Sequence, residues 1–191
     1  MDRSTVLDLE TQYWPRYCEE NVWHLCGALP VEIARAHVLL ISNARRGVAM
    51  WSQRATGSRT QPVVWDYHVV LLGLLDDLWQ IWDADYGRPS PELAERYLDA
   101  SFLPLPDEYA GLRPRFRIVE ADVYRRTLCS DRHHMQAPDG SWLSPPPPTA
   151  PIGSGSNLML LIDTQADFVG RVCNLRSLRE WLSTRSTAKP T

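Results

Sequence analysis

Five residues that could do chemistry stand in surroundings that argue against them. Cys18 opens the apolar-striped segment CEENVWHLCGAL. Asp66 and His68 interrupt the apolar run PVVWDYHVVLL (62–72), and Asp83 and Asp85 lie within LWQIWDADY (78–86). Burying an ionisable group costs free energy unless it is paired, so His68 in such a run implies a partner. A histidine beside a carboxylate has a fixed tautomer and a stabilised imidazolium, and such a pair is suited to activating a nucleophile. Cys18 is the natural candidate, because a helix N-terminus and a nearby imidazolium both favour thiolate.

The elements that must position these residues follow from periodicity. Val22, Leu25, Cys26 and Leu29 recur at helical spacing, Pro30 ends the pattern, and Glu19 and Glu20 fall in the first turn. Cys18 is therefore expected at a helix start. His37–Ser42 reads as a strand with Val48–Gln53 as its hairpin partner. Pro62–Leu72 and Leu78–Tyr86 read as two more strands joined at Asp76-Asp77, with a further strand at Arg115–Val119. Short helices are expected over Pro91–Ala100 and Leu175–Ser183, and polyproline-like coil over Ser144–Ile152. Strands that follow strands through short connections give an α+β fold with a mostly antiparallel sheet.

Side chains alternate along a strand, so Asp66 and His68 share a face, and so do Asp83 and Asp85. With Asp76-Asp77 as a two-residue loop, opposed residue numbers sum to about 153. His68 then faces Asp85 directly and Asp83 diagonally, a geometry that does not choose between them. The same alternation points Trp65 and Tyr67 away from His68, toward a core. The chain order Cys, His, Asp, with the cysteine opening a helix and the others on neighbouring strands, is that of papain-like and transglutaminase-like enzymes.

Composition narrows the classes. The chain has 191 residues, 44% apolar, with a net charge of −3. That balance points away from nucleic acid or an anionic membrane as partner. No apolar run reaches the ~18 residues of a membrane span, and the N-terminus carries no secretory pattern. The four cysteines, at 18, 26, 129 and 173, form no C-x-x-C pair, which suggests reduced thiols in an intracellular setting. Cys26, Cys129 and Cys173 are expected to be inert. No histidine or cysteine pair has zinc-ligand spacing, so neither metal nor other cofactor is expected. A single catalytic domain over 1–191 is expected, with 1–12 and 185–191 as loose termini.

The segments YCEEN (17–21), ISN (41–43), VVWDYHVVLL (63–72), the Asp-x-Asp of Asp83 and Asp85, SDRHHM (130–135) and the proline run Pro145–Pro148 together resemble the protein N-terminal glutamine amidohydrolases. The resemblance runs in order over nearly the whole chain. It implies a monomeric cysteine hydrolase of papain/transglutaminase-like architecture. That enzyme would convert an N-terminal glutamine of a protein to glutamate, a cytoplasmic or nuclear step of the N-degron pathway. Carried over by motif, it implies a triad of Cys18, His68 and Asp83. Recognition of the substrate α-ammonium needs an acid, for which Glu19, Glu20, Asp66, Asp85 and Asp131 are available, and His134 is a further lining candidate. The rivals are a transglutaminase or cysteine peptidase with the same triad, and a non-catalytic module that binds peptide N-termini.

Overall fold

The central strands are apolar at odd and even positions alike because both faces of their sheet are covered. The computed structural model describes residues 13–58 and 60–185. In chain order the elements are α1 (Cys18–Gly27), β1 (Arg35–Ser42), β2 (Val48–Met50), β3 (Val63–Trp65), β4 (His68–Leu75), β5 (Leu78–Trp82), β6 (Glu92–Leu93), α2 (Ala94–Ser101), β7 (Arg115–Glu120), α3 (Ala121–Thr127), α4 (Leu158–Ile162), β8 (Arg171–Asn174) and α5 (Leu175–Arg185). Six strands form an antiparallel sheet in the order β6-β5-β4-β1-β7-β8, and β2 pairs with β3 in a separate ribbon. The fold is α+β, as the sequence predicts. The expected loose termini lie outside the described residues, except Arg185, which closes α5.

On one face of the large sheet, Leu39, Ile41, Val70, Leu72, Phe116 and Ile118 pack with Tyr97 and Leu98 of α2 and Leu178, Trp181 and Leu182 of α5. On the other, Val38, Leu40, Val69, Leu71 and Val119 meet Val22 and Leu25 of α1, Tyr124 of α3 and Leu158, Leu161 and Ile162 of α4. Arg117 sits buried on this second face. Its guanidinium donates to the carbonyls of Leu161, Asp163, Ala166, Phe168 and Val169, so one side chain organises the whole stretch after α4.

The Asp76-Asp77 loop has the predicted form. Both residues have positive φ (50° and 60°), as a two-residue hairpin turn requires, and Leu75 opposes Leu78 while Leu71 opposes Trp82.

Three expectations need correction. Val48–Gln53 is not the hairpin partner of β1: both edges of β1 are taken by β4 and β7. Asn43 diverts the chain by bonding the carbonyls of Gly47, Gly111 and Arg113 through its amide nitrogen and the N–H groups of Arg45 and Gly47 through its oxygen. The run 62–72 is not one strand. It breaks at Asp66 and Tyr67, where the Asp66 carboxylate accepts the Tyr67 N–H and Ser42 Oγ donates to the Asp66 carbonyl. The strand from Leu78 stops at Trp82 rather than Tyr86. Asp83 turns the chain by accepting the Asp85 N–H on its own side chain, and its N–H goes to Ser90 Oγ.

Candidate active site

The site is built where α1 begins, against the start of β4. The chain enters α1 through a local clamp: the Asn21 side chain accepts the Trp14 N–H at 3.0 Å and donates to the Trp14 carbonyl at 2.9 Å. This holds the bend of residues 14–17, in which Arg16 takes φ 70°, and presents Cys18 as the first residue of the helix. Cys18 is half-buried and unpaired with any other cysteine.

His68 is the first residue of β4 and is 2% exposed, and Asp83 follows β5 directly at 3%. Their side chains meet diagonally, His68 Nε2 to Asp83 Oδ1 at 2.9 Å. The carboxylate can only accept here, so Nε2 carries the proton and Nδ1 is left to act as base. Asp83 is itself held. Tyr97 Oη donates to Oδ2 at 2.7 Å and the Asp85 N–H donates to Oδ1 at 2.9 Å. Trp65 stacks on the imidazole, with ring centroids 5.9 Å apart and planes at 17°.

Cys18 and His68 share the wall of one cavity of about 240 Å³ with Arg16, Trp65, Asp66, Tyr67, Asp85, His134, Met135, Leu143 and Met159. A sequence profile of the N-terminal glutamine amidase family matches residues 13–182, a span that includes every residue of this cavity. Protein N-terminal glutamine amidohydrolases from Drosophila virilis and Drosophila melanogaster are each 37% identical over 163 residues, covering 81% of this chain and 78% of their own. The chain belongs to that family.

The acids predicted for the substrate separate sharply in this family member. Glu20 is fully buried and doubly bonded to Arg132, Nε to Oε1 and Nη2 to Oε2, both at 2.7 Å. Arg132 also donates to the carbonyls of Pro147 and Thr149, so the pair fixes the proline strap to α1. Tyr17 Oη donates to the Ser144 carbonyl and Ser144 Oγ to that of Pro15, which fastens the same strap. Glu19 is also fully buried. It accepts from Tyr67 Oη at 3.0 Å, lies 3.3 Å from His134 Nε2, and its Oε2 stands 3.8 Å from the Cys18 sulfur. Asp131 pairs with His133 outside the cavity. Only Asp66, Asp85 and His134 of the predicted binding set line it.

Trp65 and Tyr67 are cavity residues rather than pure core. The alternation that points them away assumes an unbroken strand, and the break at Asp66 re-aims both. Aspartate is disfavoured within strands, so Asp66 itself is the signal of that break. Tyr97 carries no sequence signal beyond an inward position on an amphipathic helix.

Burial pushes the Cys18 thiol well up, and the charges of Glu19 and Asp85 add to this, against a backbone hydrogen bond from Val69 that lowers it. These influences oppose the thiolate form that the helix start favours. Burial would lower the His68 pKa, but the charge and hydrogen bond of Asp83, with Asp85 behind them, outweigh it and raise the value above 6.5. Burial would raise Asp83, yet His68, the Tyr97 hydroxyl and the Asp85 N–H together bring it below 3.8. For His134, burial is overcome by the Glu19 hydrogen bond and charge, and its pKa rises. Among the described residues, His68, Asp83 and Asp85 are the trio whose ligand atoms lie within 4.8 Å of one another. His68 and Asp83 already bond each other at 2.9 Å, so the trio reads as an ion pair with a flanking acid.

Proposed function

We propose that this chain hydrolyses the side-chain amide of an N-terminal glutamine to glutamate and ammonia, with Cys18, His68 and Asp83 as its catalytic residues. The observation that carries the reading is the buried His68–Asp83 pair beside a half-buried thiol in one cavity, in a chain of this family. The glutamine carboxamide enters the cavity beside Cys18. His68 Nδ1 takes the thiol proton as sulfur attacks the carboxamide carbon, so the ion pair forms during attack rather than before it. The oxyanion is met by the Cys18 N–H, which as the first N–H of α1 has no intrahelical partner. His134, whose charged form is favoured by the Glu19 hydrogen bond and charge, lines the same cavity. The imidazolium passes its proton to the nitrogen, ammonia leaves, and a γ-glutamyl thioester remains. Water then loses a proton to His68 and attacks, and the returning proton restores the thiol. No step requires a metal or organic cofactor.

The arrangement of a helix-opening cysteine with a histidine at the start of one strand and an acid just past the end of its neighbour resembles that of papain-like and transglutaminase-like enzymes. The same reading places the activity in the N-degron pathway of the cytoplasm, acting as a monomer on protein and peptide termini. Mass spectrometry and ammonia release on peptides beginning with glutamine, with and without an amine acceptor present, test the activity. A single gain of 1 Da with ammonia release is expected. Peptide-bond cleavage or crosslinking in its place would favour the peptidase or transglutaminase rivals, and no reaction would favour a binding module.

A further inference from the structure

A hydrolase confined to amino termini must bind an ammonium group while the carboxamide sits at the thiol. In glutamine the two groups are four bonds apart, a span of about 5 Å at most by ordinary bond lengths. The receptor must therefore line the cavity that holds Cys18. Glu20 fails, because both its oxygens are consumed by Arg132 and none of it reaches solvent. Glu19 fails because it is 0% exposed and does not line the cavity, engaged instead by Tyr67 and His134. Asp131 lies outside. Asp66 lines the rim, but it is exposed and spends one oxygen on the Tyr67 N–H. An acid in water discriminates poorly, since screening leaves little difference between an ammonium and its absence.

Asp85 is different. It is half-buried, lines the cavity, and offers a ligand atom within 4.8 Å of those of His68 and Asp83. Among the described residues its carboxylate has one hydrogen-bond donor, Tyr13 Oη, at 2.5 Å to Oδ1. The backbone also fixes it, since its N–H bonds Asp83 and its carbonyl accepts the Arg54 N–H at 2.8 Å. One carboxylate oxygen is thus anchored and the other remains for a cation. We propose that Asp85 is the receptor for the substrate α-ammonium, and that the Tyr13–Asp85 bond sets its position. This rests on the amidohydrolase reading above.

The test compares two peptides that differ only in that group: one beginning with glutamine, and the same peptide with hydrogen in place of the α-ammonium. Wild-type protein should favour the first by roughly 100-fold in kcat/KM, the usual scale for losing one partner of a desolvated charge pair. Asp85→Asn should cut kcat/KM for the first peptide by about that factor, leave the second within about threefold, and so collapse the preference. Asp66→Asn should keep it. Reaction of Cys18 with iodoacetamide, which needs no ammonium site, reports whether each variant has kept its site. If Asp85→Asn does not fold, Asp85→Ser carries the same expectation. Equal turnover of both peptides by wild type, a preference intact in the Asp85 variant, equal losses on both peptides, or a collapse in the Asp66 variant would each overturn the assignment. These results leave the amidohydrolase reading standing. Absence of ammonia release by wild type would bring down that reading and this inference with it.

Discussion

His68 shows how much one contact can decide. It is buried, its Nε2–H is committed to Asp83, and its pKa is raised. In the proposed mechanism it must be neutral to accept the thiol proton. Activity should therefore appear as pH rises through the raised value, and the acid limb of kcat/KM should lie above 6.5. Asp83→Asn removes the charge that opposes burial. It should lower the plateau by ~10²–10⁴-fold and shift the acid limb toward lower pH, readable in a pH–rate profile. The linkage has two sides. The Asp83 share of stability is present above about 3.9 and lost as pH falls through its lowered folded value. The His68 share is present below about 6.5 and lost as pH rises through its raised one. Cys18→Ala and Cys18→Ser should each lose ~10⁴-fold or more in turnover while keeping the circular-dichroism spectrum. Cys26→Ala should stay active, since Cys26 packs against the α1 core and burial drives its thiol up to about 12. Residual turnover in either Cys18 variant near the wild-type rate would remove that thiol from the chemistry. The carboxylate partner of His68 was legible from register only as far as parity allows. A two-residue turn puts Asp83 diagonal and Asp85 opposite; the family resemblance points to Asp83, and the side-chain turn at Asp83, which ends β5, gives the diagonal its physical reason.

At the scale of elements, the strap from Ser144 to Ala150 depends on a buried ion pair formed across 112 residues of sequence. Glu20 is 0% exposed in its side chain and Arg132 is 5% exposed, so neither charge is rescued by water when the other is lost. Arg132 also sits at φ 65°, a conformation that the fixed guanidinium contacts must hold. Glu20→Gln should destabilise the fold by about 3–5 kcal/mol, the usual range for breaking a buried pair, as measured by urea unfolding. A loss under about 1 kcal/mol would mean that the strap is held by its carbonyl contacts alone. The sequence offers Glu20 only as one acid among several near the helix start. Its partner is illegible there, because nothing local in SDRHHM announces a contact with YCEEN. The same holds for Arg117, whose five carbonyl acceptors come from a stretch with no motif. The helices α1 and α5 and the central hairpin were legible because their signals are local: apolar spacing in the helices, and two aspartates that tolerate positive φ between β4 and β5. The short α3 and α4 and the edge strand β8 were not read, and the helix expected over Pro91–Ala100 begins only at Ala94, after β6. The ribbon of β2 and β3 was not, because its pairing depends on Asn43 diverting the chain.

In the whole molecule the cavity is a meeting place of distant segments. Arg16 and Cys18 come from the entry to α1, Trp65 to His68 from the broken strand, Asp85 from beyond β5, His134, Met135 and Leu143 from the loop before the strap, and Met159 from α4. At about 240 Å³ it is smaller than the ~300–1,000 Å³ of pockets for drug-sized ligands. It suits one side chain and a terminus rather than a strand passing through. A glutamine inside a chain would have to bring polypeptide in on both sides, and it would offer Asp85 no ammonium. An N-terminal asparagine would fit, but its carboxamide falls about 1.5 Å short of the thiol when the terminus is anchored, outside near-attack tolerance. Three peptides of otherwise equal sequence, with glutamine first, glutamine second and asparagine first, should therefore release ammonia at very different rates. The first should exceed the others by roughly 100-fold or more. Comparable release from the second peptide would mean that the cavity opens to accept a continuous chain, and the terminal reading would fail. Comparable release from the third would leave the terminus as the anchor but show that the thiol is not held at a fixed distance from it.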